Sequence, residues 1–357
     1  MIHITKRKEM PFAQALLVRL GAIALALVVC AVVTTLATGI NPLSVYGAMV
    51  NGAFGSERKV WIMLQELAIL LCVSLALTPA FRMRFWNLGG EGQVLMGGLA
   101  AATCMIKLGG TVPNGALVAL MVVAAVVAGA VWAVVPALFR ARFNTNETLF
   151  TLMMNYVATQ LVAYFVIRWE VPKGSGKIGI INQSTEAGWL PQLGNKYLLA
   201  IVVAAALTVA MHVYLNYTKH GYEISVVGES TSTARYVGID VRKVIVRTLV
   251  VSGAVCGIAG LLLVGGIDHT ITTTTAGGRG FTAVMVAWLA KFNPFAMVSG
   301  SFLLVFMEQG AGEISTMYGL NQSFGDILTG IILFFIIGCE FFITYRISFA
   351  KKEAEKE

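Results

Sequence analysis

Acidic residues inside apolar segments are the strongest indication of chemistry in this sequence. Glu91, Glu147 and Glu308 each lie within or beside a long apolar run. An ionised side chain at the centre of a lipid bilayer costs at least ~2.5–3.5 kcal/mol, so such an acid is expected to face a cavity or a partner. Glu147 follows Asn146 at a predicted helix start, and Glu308 lies near the end of a predicted span. These positions favour structural roles for both residues.

Glu91 stands within a short polar segment, residues Asn87 to Gln93. The segment contains three glycines, Gly89, Gly90 and Gly92. A helix that starts here offers unpaired amide donors and the positive end of its dipole, which can hold polar groups of a solute or a neighbouring carboxylate. Asn87, Glu91 and Gln93 are therefore candidates to line a translocation pathway. A hydrogen-bonded turn at the membrane interface is the open alternative.

Asn155 and Gln160 lie deeper inside a predicted span than these acids do. Amide side chains at such depth can line a wet passage or bond a neighbouring helix. We favour the passage and add both residues to the pathway candidates.

A second glycine-rich helix start echoes the first. Gly277, Gly278, Arg279 and Gly280 precede a short apolar stretch, as the glycines around Glu91 do. The two predicted spans are an odd number of spans apart, so they run in opposite directions. This arrangement predicts an inverted repeat with interrupted helices near a central pathway. Close helix packing is the other use of such glycines.

Catalytic and metal-binding chemistry is poorly supported by the sequence. The four histidines, His3, His212, His220 and His269, are scattered, and the five cysteines lie in apolar runs without a partner at ligand spacing. The segment Gly174 to Lys177 echoes a phosphate loop, but Ile178 replaces the required Ser or Thr. We predict no catalytic residue, no metal and no cofactor in this chain, which argues against a membrane enzyme.

Composition indicates a membrane protein. Of 357 residues 57% are hydrophobic and only 12% are charged, and the mean hydropathy is +0.78. A bilayer core takes ~20 apolar residues of helix to cross. We predict an all-α, polytopic membrane protein with one transmembrane domain over residues 1–357. The ten predicted spans are residues 16–38, 61–80, 88–106, 114–136, 147–168, 197–215, 244–266, 281–290, 294–312 and 323–345, of which the eighth is too short to cross as a regular helix.

Basic residues predict the orientation. With both termini in the cytoplasm, the pairs Arg82 and Arg84 and Arg140 and Arg142 lie inside, as do the terminal bases Arg7, Lys8, Lys351, Lys352 and Lys356. Residues 170–196 then form an extracytoplasmic loop and residues 216–243 a cytoplasmic one. The net charge of +8 has this topological explanation, so we predict contact with membrane lipid and no nucleic-acid partner.

Residues Gly228 to Ile239 of the cytoplasmic loop predict a short amphipathic helix. The segment begins with capping residues and stops at Gly238. Tyr236 and Ile239 are spaced to share one helical face, and Arg235 could anchor the loop to an acidic rim. Such a helix can lie on the membrane or present a face to a cytoplasmic partner, and periodicity alone does not choose.

The chain resembles the permease subunits of ATP-binding-cassette importers of the simple sugar, nucleoside and branched-chain amino acid superfamily. It is most similar to the nucleoside and simple-sugar branch. The resemblance is carried by Asn87 to Gln93, Asn146, Glu147, Met153, Asn155, Tyr156, Ala234, Arg235, Tyr236, Gly238, Ile239, Gly278, Gly280 and Phe281.

The resemblance implies a ten-helix permease in a bacterial-type inner membrane. The inner loop would be the coupling helix, which docks on a cytoplasmic ATPase through Gly228, Ala234, Arg235, Tyr236, Gly238 and Ile239. ATP and Mg²⁺ would be used by that partner. A second permease, identical or paralogous, and an extracytoplasmic solute-binding protein would complete the importer. The solute would be a nucleoside or a simple sugar.

The sequence departs from the family pattern at several positions, namely Ser230, Thr231, Thr233 and Trp288. These leave the details of coupling and the solute open. An ion-coupled secondary transporter is the alternative function. It would need an acid or base embedded in the pathway and would need no ATPase partner.

The purified chain alone is expected neither to bind nor to hydrolyse ATP, because it contains no phosphate-binding loop. Equilibrium binding of a labelled ATP analogue to the isolated protein checks this expectation. Saturable binding of the analogue would contradict the interpretation of the chain as an importer subunit.

Overall fold

The computed structural model describes residues 2–6 and 11–349 of the chain. The terminal bases Arg7, Lys8, Lys351, Lys352 and Lys356, which the sequence analysis placed in the cytoplasm, lie outside the described residues.

Helices dominate the architecture. In chain order they are α1 (Phe12–Thr38), α2 (Pro42–Phe54), α3 (Glu57–Arg82), α4 (Gly90–Leu108), α5 (Asn114–Phe143), α6 (Glu147–Trp169), α7 (Leu198–Tyr217), α8 (Lys219–Glu229), α9 (Thr231–Tyr236), α10 (Val241–Leu261), a π-helix (Leu262–Asp268), α11 (Arg279–Leu289), α12 (Pro294–Tyr318) and α13 (Gln322–Thr344). Two short strands, β1 (Ile2–Lys6) and β2 (Tyr345–Phe349), pair antiparallel with Ile2 opposite Phe349.

Every predicted span coincides with a helix. Among the described residues, eight helices are long and apolar enough to cross a membrane, so the polytopic all-helical prediction is confirmed. The helix α4 is not among those eight, and α11 is an apolar helix of only 11 residues. The count of ten spans and the cytoplasmic termini stay predictions. The sequence analysis missed α2, which begins after the capping side chain of Asn41 and carries Pro42 in its first turn.

Side-chain caps explain where several helices begin. Asn146 accepts a hydrogen bond from the Leu149 amide at the start of α6, and Asp240 accepts from the Arg242 and Lys243 amides at the start of α10. Such caps satisfy amides that have no partner within the helix.

The chain divides into two compact units. One comprises the described residues of Met1–Val60 and Leu304–Glu357. In it α1 packs on α13, where Cys339 and Ile343 contact Val18 and Ala22. Arg19 bonds Glu340 at 2.6 Å across the same pair of helices. Glu308 lies on an exposed face of α12 in this unit.

The other unit, Trp61–Leu303, is built around α4, α5 and α10. These helices approach so closely that backbone meets backbone. A Cβ atom on Gly257 would lie 2.2 Å from the Ala125 carbonyl oxygen of α5, and one on Gly260 would lie 2.2 Å from the Val94 carbonyl oxygen of α4. Small residues allow this contact, which drives helix association in lipid where the hydrophobic effect does not.

Candidate functional site

The two glycine-rich helix starts meet inside the larger unit. The Glu91 carboxylate, in the first turn of α4, accepts a hydrogen bond from the Gly278 amide at 2.8 Å and another from the Gly280 amide at 2.8 Å. These amides begin α11 and have no partner within that helix. The carboxylate in the first turn of α4 therefore caps α11, and its negative charge meets the positive end of the α11 dipole.

Glycine is required at this junction for steric reasons. A Cβ atom on Gly280 would lie 2.3 Å from the Glu91 amide nitrogen. Gly278 has a φ of 75°, which side-chain-bearing residues rarely adopt. The sequence analysis predicted an inverted repeat from these two starts. The structure brings them together, and the repeat itself stays a prediction.

The amides predicted to line a pathway form a buried network under the start of α4. Asn155 donates to the Leu88 carbonyl oxygen at 2.8 Å and accepts from the Gly92 amide at 2.9 Å. Asn87 accepts from the Gln93 side chain at 3.3 Å and is fully buried. The structure therefore unites these side chains with the interrupted backbone, which they stabilise by pairing its polar groups.

Gln160 is placed apart from this network. Its side chain is exposed on α6, whereas Asn155 on the same helix is buried. Five residues correspond to well over one helical turn, so the two side chains point to different faces.

Glu147 is held by an ion pair with Arg140. The Arg140 Nε atom lies 3.3 Å from the Glu147 Oε2 atom, and the same guanidinium donates to the Thr145 carbonyl oxygen at 3.1 Å. This pairing closes the turn between α5 and α6 and is consistent with the structural role predicted for Glu147.

Sequence reasoning missed an ion pair between Glu66 of α3 and Arg279 of α11. The same guanidinium contacts the Ala276 carbonyl oxygen at 3.4 Å. Glu66 was detectable as an acid inside the predicted span 61–80. Its partner was not detectable, because Arg279 lies 213 residues away in sequence. The pair gives the α11 start a second attachment beside Glu91.

An aromatic cluster lies where α3 and α11 end. Trp86 stacks on Trp288 with 5.3 Å between ring centroids, and Phe81 and Phe292 contact Trp288 edge-on. Trp288, bulkier than the residue the family pattern predicts, is therefore accommodated by a second tryptophan. Such ring pairs stabilise a structure by ~0.5–1.5 kcal/mol beyond the contribution of the area that they bury.

The predicted coupling segment folds as two short helices, α8 and α9. Ala234 is fully buried and Tyr236 is 93% exposed, so α9 rests on the unit through one side and presents the other. A Cβ atom on Gly228 would lie 2.2 Å from the Arg82 carbonyl oxygen, which fixes α8 against the end of α3. Arg235 is exposed.

One detail of this segment was predicted wrongly. Tyr236 and Ile239 do not share a helical face, because α9 ends at Tyr236. Gly238 then adopts a φ of 82° and turns the chain, and the Ile239 amide bonds back to the Ala234 carbonyl oxygen at 2.9 Å.

Replacing Glu91 by Ala is expected to lower both thermal stability and uptake. The change leaves the Gly278 and Gly280 amides without their partner, and an unpaired buried polar group costs ~1–3 kcal/mol. Thermal unfolding in detergent and solute uptake in cells check this. Glu91→Asp separates two roles, because it keeps the charge but shortens the side chain. Capping predicts a loss with Asp as well, whereas attraction of solute by charge alone predicts retained uptake. Unchanged melting of Glu91→Ala would contradict the capping role.

Comparison with known proteins identifies the family of this chain. The sequence model of the family described as branched-chain amino acid transport system, permease component, matches residues 60–337. The guanosine ABC transporter permease protein NupP of Bacillus subtilis is 30% identical over 96% of this chain and 97% of its own. The glucose ABC transporter permease protein TsgB13 of Haloferax volcanii is 28% identical over 89% of this chain and 86% of its own.

A further relative is the nucleoside ABC transporter permease protein NupB of Lactococcus lactis, which is 26% identical over 84% of this chain and 85% of its own. The family match spans both interrupted helices and the α8–α9 segment. The chain therefore belongs to this family of transport-system permease components, as its resemblance predicted, and is a multi-pass protein of the inner membrane.

Proposed function

We propose that this permease forms the membrane pathway of an ATP-driven importer for a nucleoside or a simple sugar. ATP and Mg²⁺ are used by a separate cytoplasmic ATPase. A second permease subunit and an extracytoplasmic solute-binding protein complete the assembly. The names of the similar permeases support the solute class, since they specify guanosine, nucleosides and glucose.

The observation that carries the proposal is the shape of the α8–α9 segment. An importer must pass ATPase closure to the membrane through a physical contact, and each side's equilibrium then changes the other's. One side of α9 is exposed, with Tyr236 93% accessible, whereas Ala234 on the side that packs against the unit is fully buried. Force applied to Tyr236 would reach α3 through Gly228 and α10 through the turn at Gly238.

Charge supports a protein partner for this surface. Arg235 is exposed beside Tyr236, and a guanidinium can bind a carboxylate on a partner through two parallel hydrogen bonds. An exposed tyrosine next to an arginine is the composition that protein interfaces favour. With α9 facing the ATPase, residues 216–243 are cytoplasmic and residues 170–196 lie on the opposite side.

The acids of the unit give less support to ion-coupled transport. A proton-relaying acid needs a carboxylate oxygen that is free to face the pathway, but both oxygens of the Glu91 carboxylate accept amide hydrogen bonds. Glu66 is paired with Arg279. Both acids are therefore engaged in contacts that hold the start of α11.

Tyr236→Ala and Arg235→Glu are expected to weaken ATPase association or to uncouple hydrolysis from uptake, without changing which solute is carried. The complex should be reconstituted in lipid with its ATPase, and co-purification, solute-stimulated hydrolysis and uptake should be measured. Tyr164→Ala is the matched control. Tyr164 is also an exposed tyrosine, at 62%, and it lies near the C-terminal end of α6. We expect this control to behave as the parent.

Two results would contradict the proposal. If both α9 variants keep parental association and coupling, α9 merely rests on anionic headgroups, where one base contributes ~1 kcal/mol. If uptake proceeds without any ATPase and follows an ion gradient, the chain is a secondary transporter.

A further inference from the structure

A cavity of about 500 Å³ lies in the larger unit beneath residues 170–196. This volume falls within the ~300–1,000 Å³ typical of small-molecule sites. Its lining includes the amide side chains of Gln65, Asn114 and Gln192 and the rings of Trp189 and His269. The lining therefore brings amide side chains and aromatic rings together around one space.

The roof of the cavity is held in place by hydrogen bonds to the helices. The Leu190 amide donates to the Gly265 carbonyl oxygen, and the Ile181 amide donates to that of His269, each at 2.8 Å. The Gly188 amide donates to the Asn114 side chain at 2.8 Å. These hydrogen bonds therefore hold the loop in place as a cover over the cavity.

The floor of the cavity includes the π-helix. Leu262, Gly266 and Ile267 of that helix line the cavity, where α10 changes from α to π geometry. Such π segments are rare and occur frequently at functional sites, since they widen the helix and redirect its side chains. Here the widened turn lies directly under the loop.

Gln65 gives the cavity a polar group that a bound molecule could contact. The residue is only 5% exposed and lines the cavity, so the accessible part of its side chain faces the cavity. An amide can donate to and accept from a hydroxyl group or a heterocyclic base.

The aromatic wall suits a neutral ring compound. His269 stacks on Trp189 with 3.7 Å between ring centroids and 6° between planes, and Trp189 donates its indole N–H to the Ile181 carbonyl oxygen. Burial lowers the pKa of His269, so at neutral pH its imidazole is uncharged and can both donate and accept. Glu186 and Lys196 also line the cavity, and both are exposed. Because they carry opposite charges, the electrostatic potential in the cavity is not dominated by one sign.

We infer that this cavity holds the transported solute within the permease, and that Gln65 determines its binding. The ligand class is a neutral, polyhydroxylated ring compound, the chemistry that a nucleoside and a sugar share. This inference rests on the proposed function and adds a defined solute site to it. The site lies under the loop side of the unit, whereas the Glu91 junction and the α9 surface are elsewhere.

Direct binding tests the inference. The purified full-length permease in lipid nanodiscs should be titrated separately with radiolabelled guanosine, uridine, glucose and ribose. We expect saturable binding of at least one probe and a weakening of about 10-fold or more in Gln65→Leu, which removes the hydrogen-bonding amide. Gln183→Leu is the matched control, because Gln183 is exposed in the same loop and lies outside the cavity lining. Its affinity should equal that of the parent.

Uptake by the assembled complex separates this inference from the proposed function. If the parent transports a probe but the permease binds none of the four, or if Gln65→Leu binds as tightly as the parent, the solute site is wrong and the importer assignment stands. If the complex transports none of the probes and the permease binds none, both fail. Binding that Gln65→Leu weakens and Gln183→Leu preserves supports the site.

Discussion

In lipid, every backbone amide that begins a helix partway across the membrane must find a partner inside the protein, because no water is there to supply one. The start of α11 meets this requirement through Glu91, whose two carboxylate oxygens accept from Gly278 and Gly280. Asn155 does the same for α4, since it accepts from the Gly92 amide and donates to the Leu88 carbonyl oxygen. The starts of α4 and α11 are thus stabilised by polar side chains that membrane helices otherwise avoid.

Close packing gives this junction a firm support. Backbone contact among α4, α5 and α10 is possible because residues such as Gly257 and Gly260 have no side chain. Gly228 extends the contact to the end of α3 and therefore to the α8–α9 segment. A displacement of α9 can then reach the centre of the unit without passing through a flexible linker. The proposed coupling to an ATPase requires such mechanical continuity.

Sequence patterns predicted most of the architecture and part of the site. Apolar runs located the helices because lipid imposes length and composition on each span separately. Glycine spacing identified both interrupted starts, but the bonds from Glu91 to Gly278 and Gly280 depend on tertiary contact and could not be derived. The Glu66–Arg279 pair and the cavity around Gln65 also depend on tertiary contact, so they could not be derived from the sequence. The placement of Gln160 on an exposed face shows that a polar residue inside a span does not by itself reveal which helix face is buried.

The central claim is that Glu91 holds the interrupted start of α11. Hydrogen–deuterium exchange of the segment 276–282, compared between the parent and Glu91→Ala in nanodiscs, measures this directly. The account predicts faster exchange of the Gly278 and Gly280 amides in the variant, with unchanged exchange in α6, because those two amides lose their acceptor. Equal protection in parent and variant would show that another group satisfies the α11 amides, and it would contradict the account.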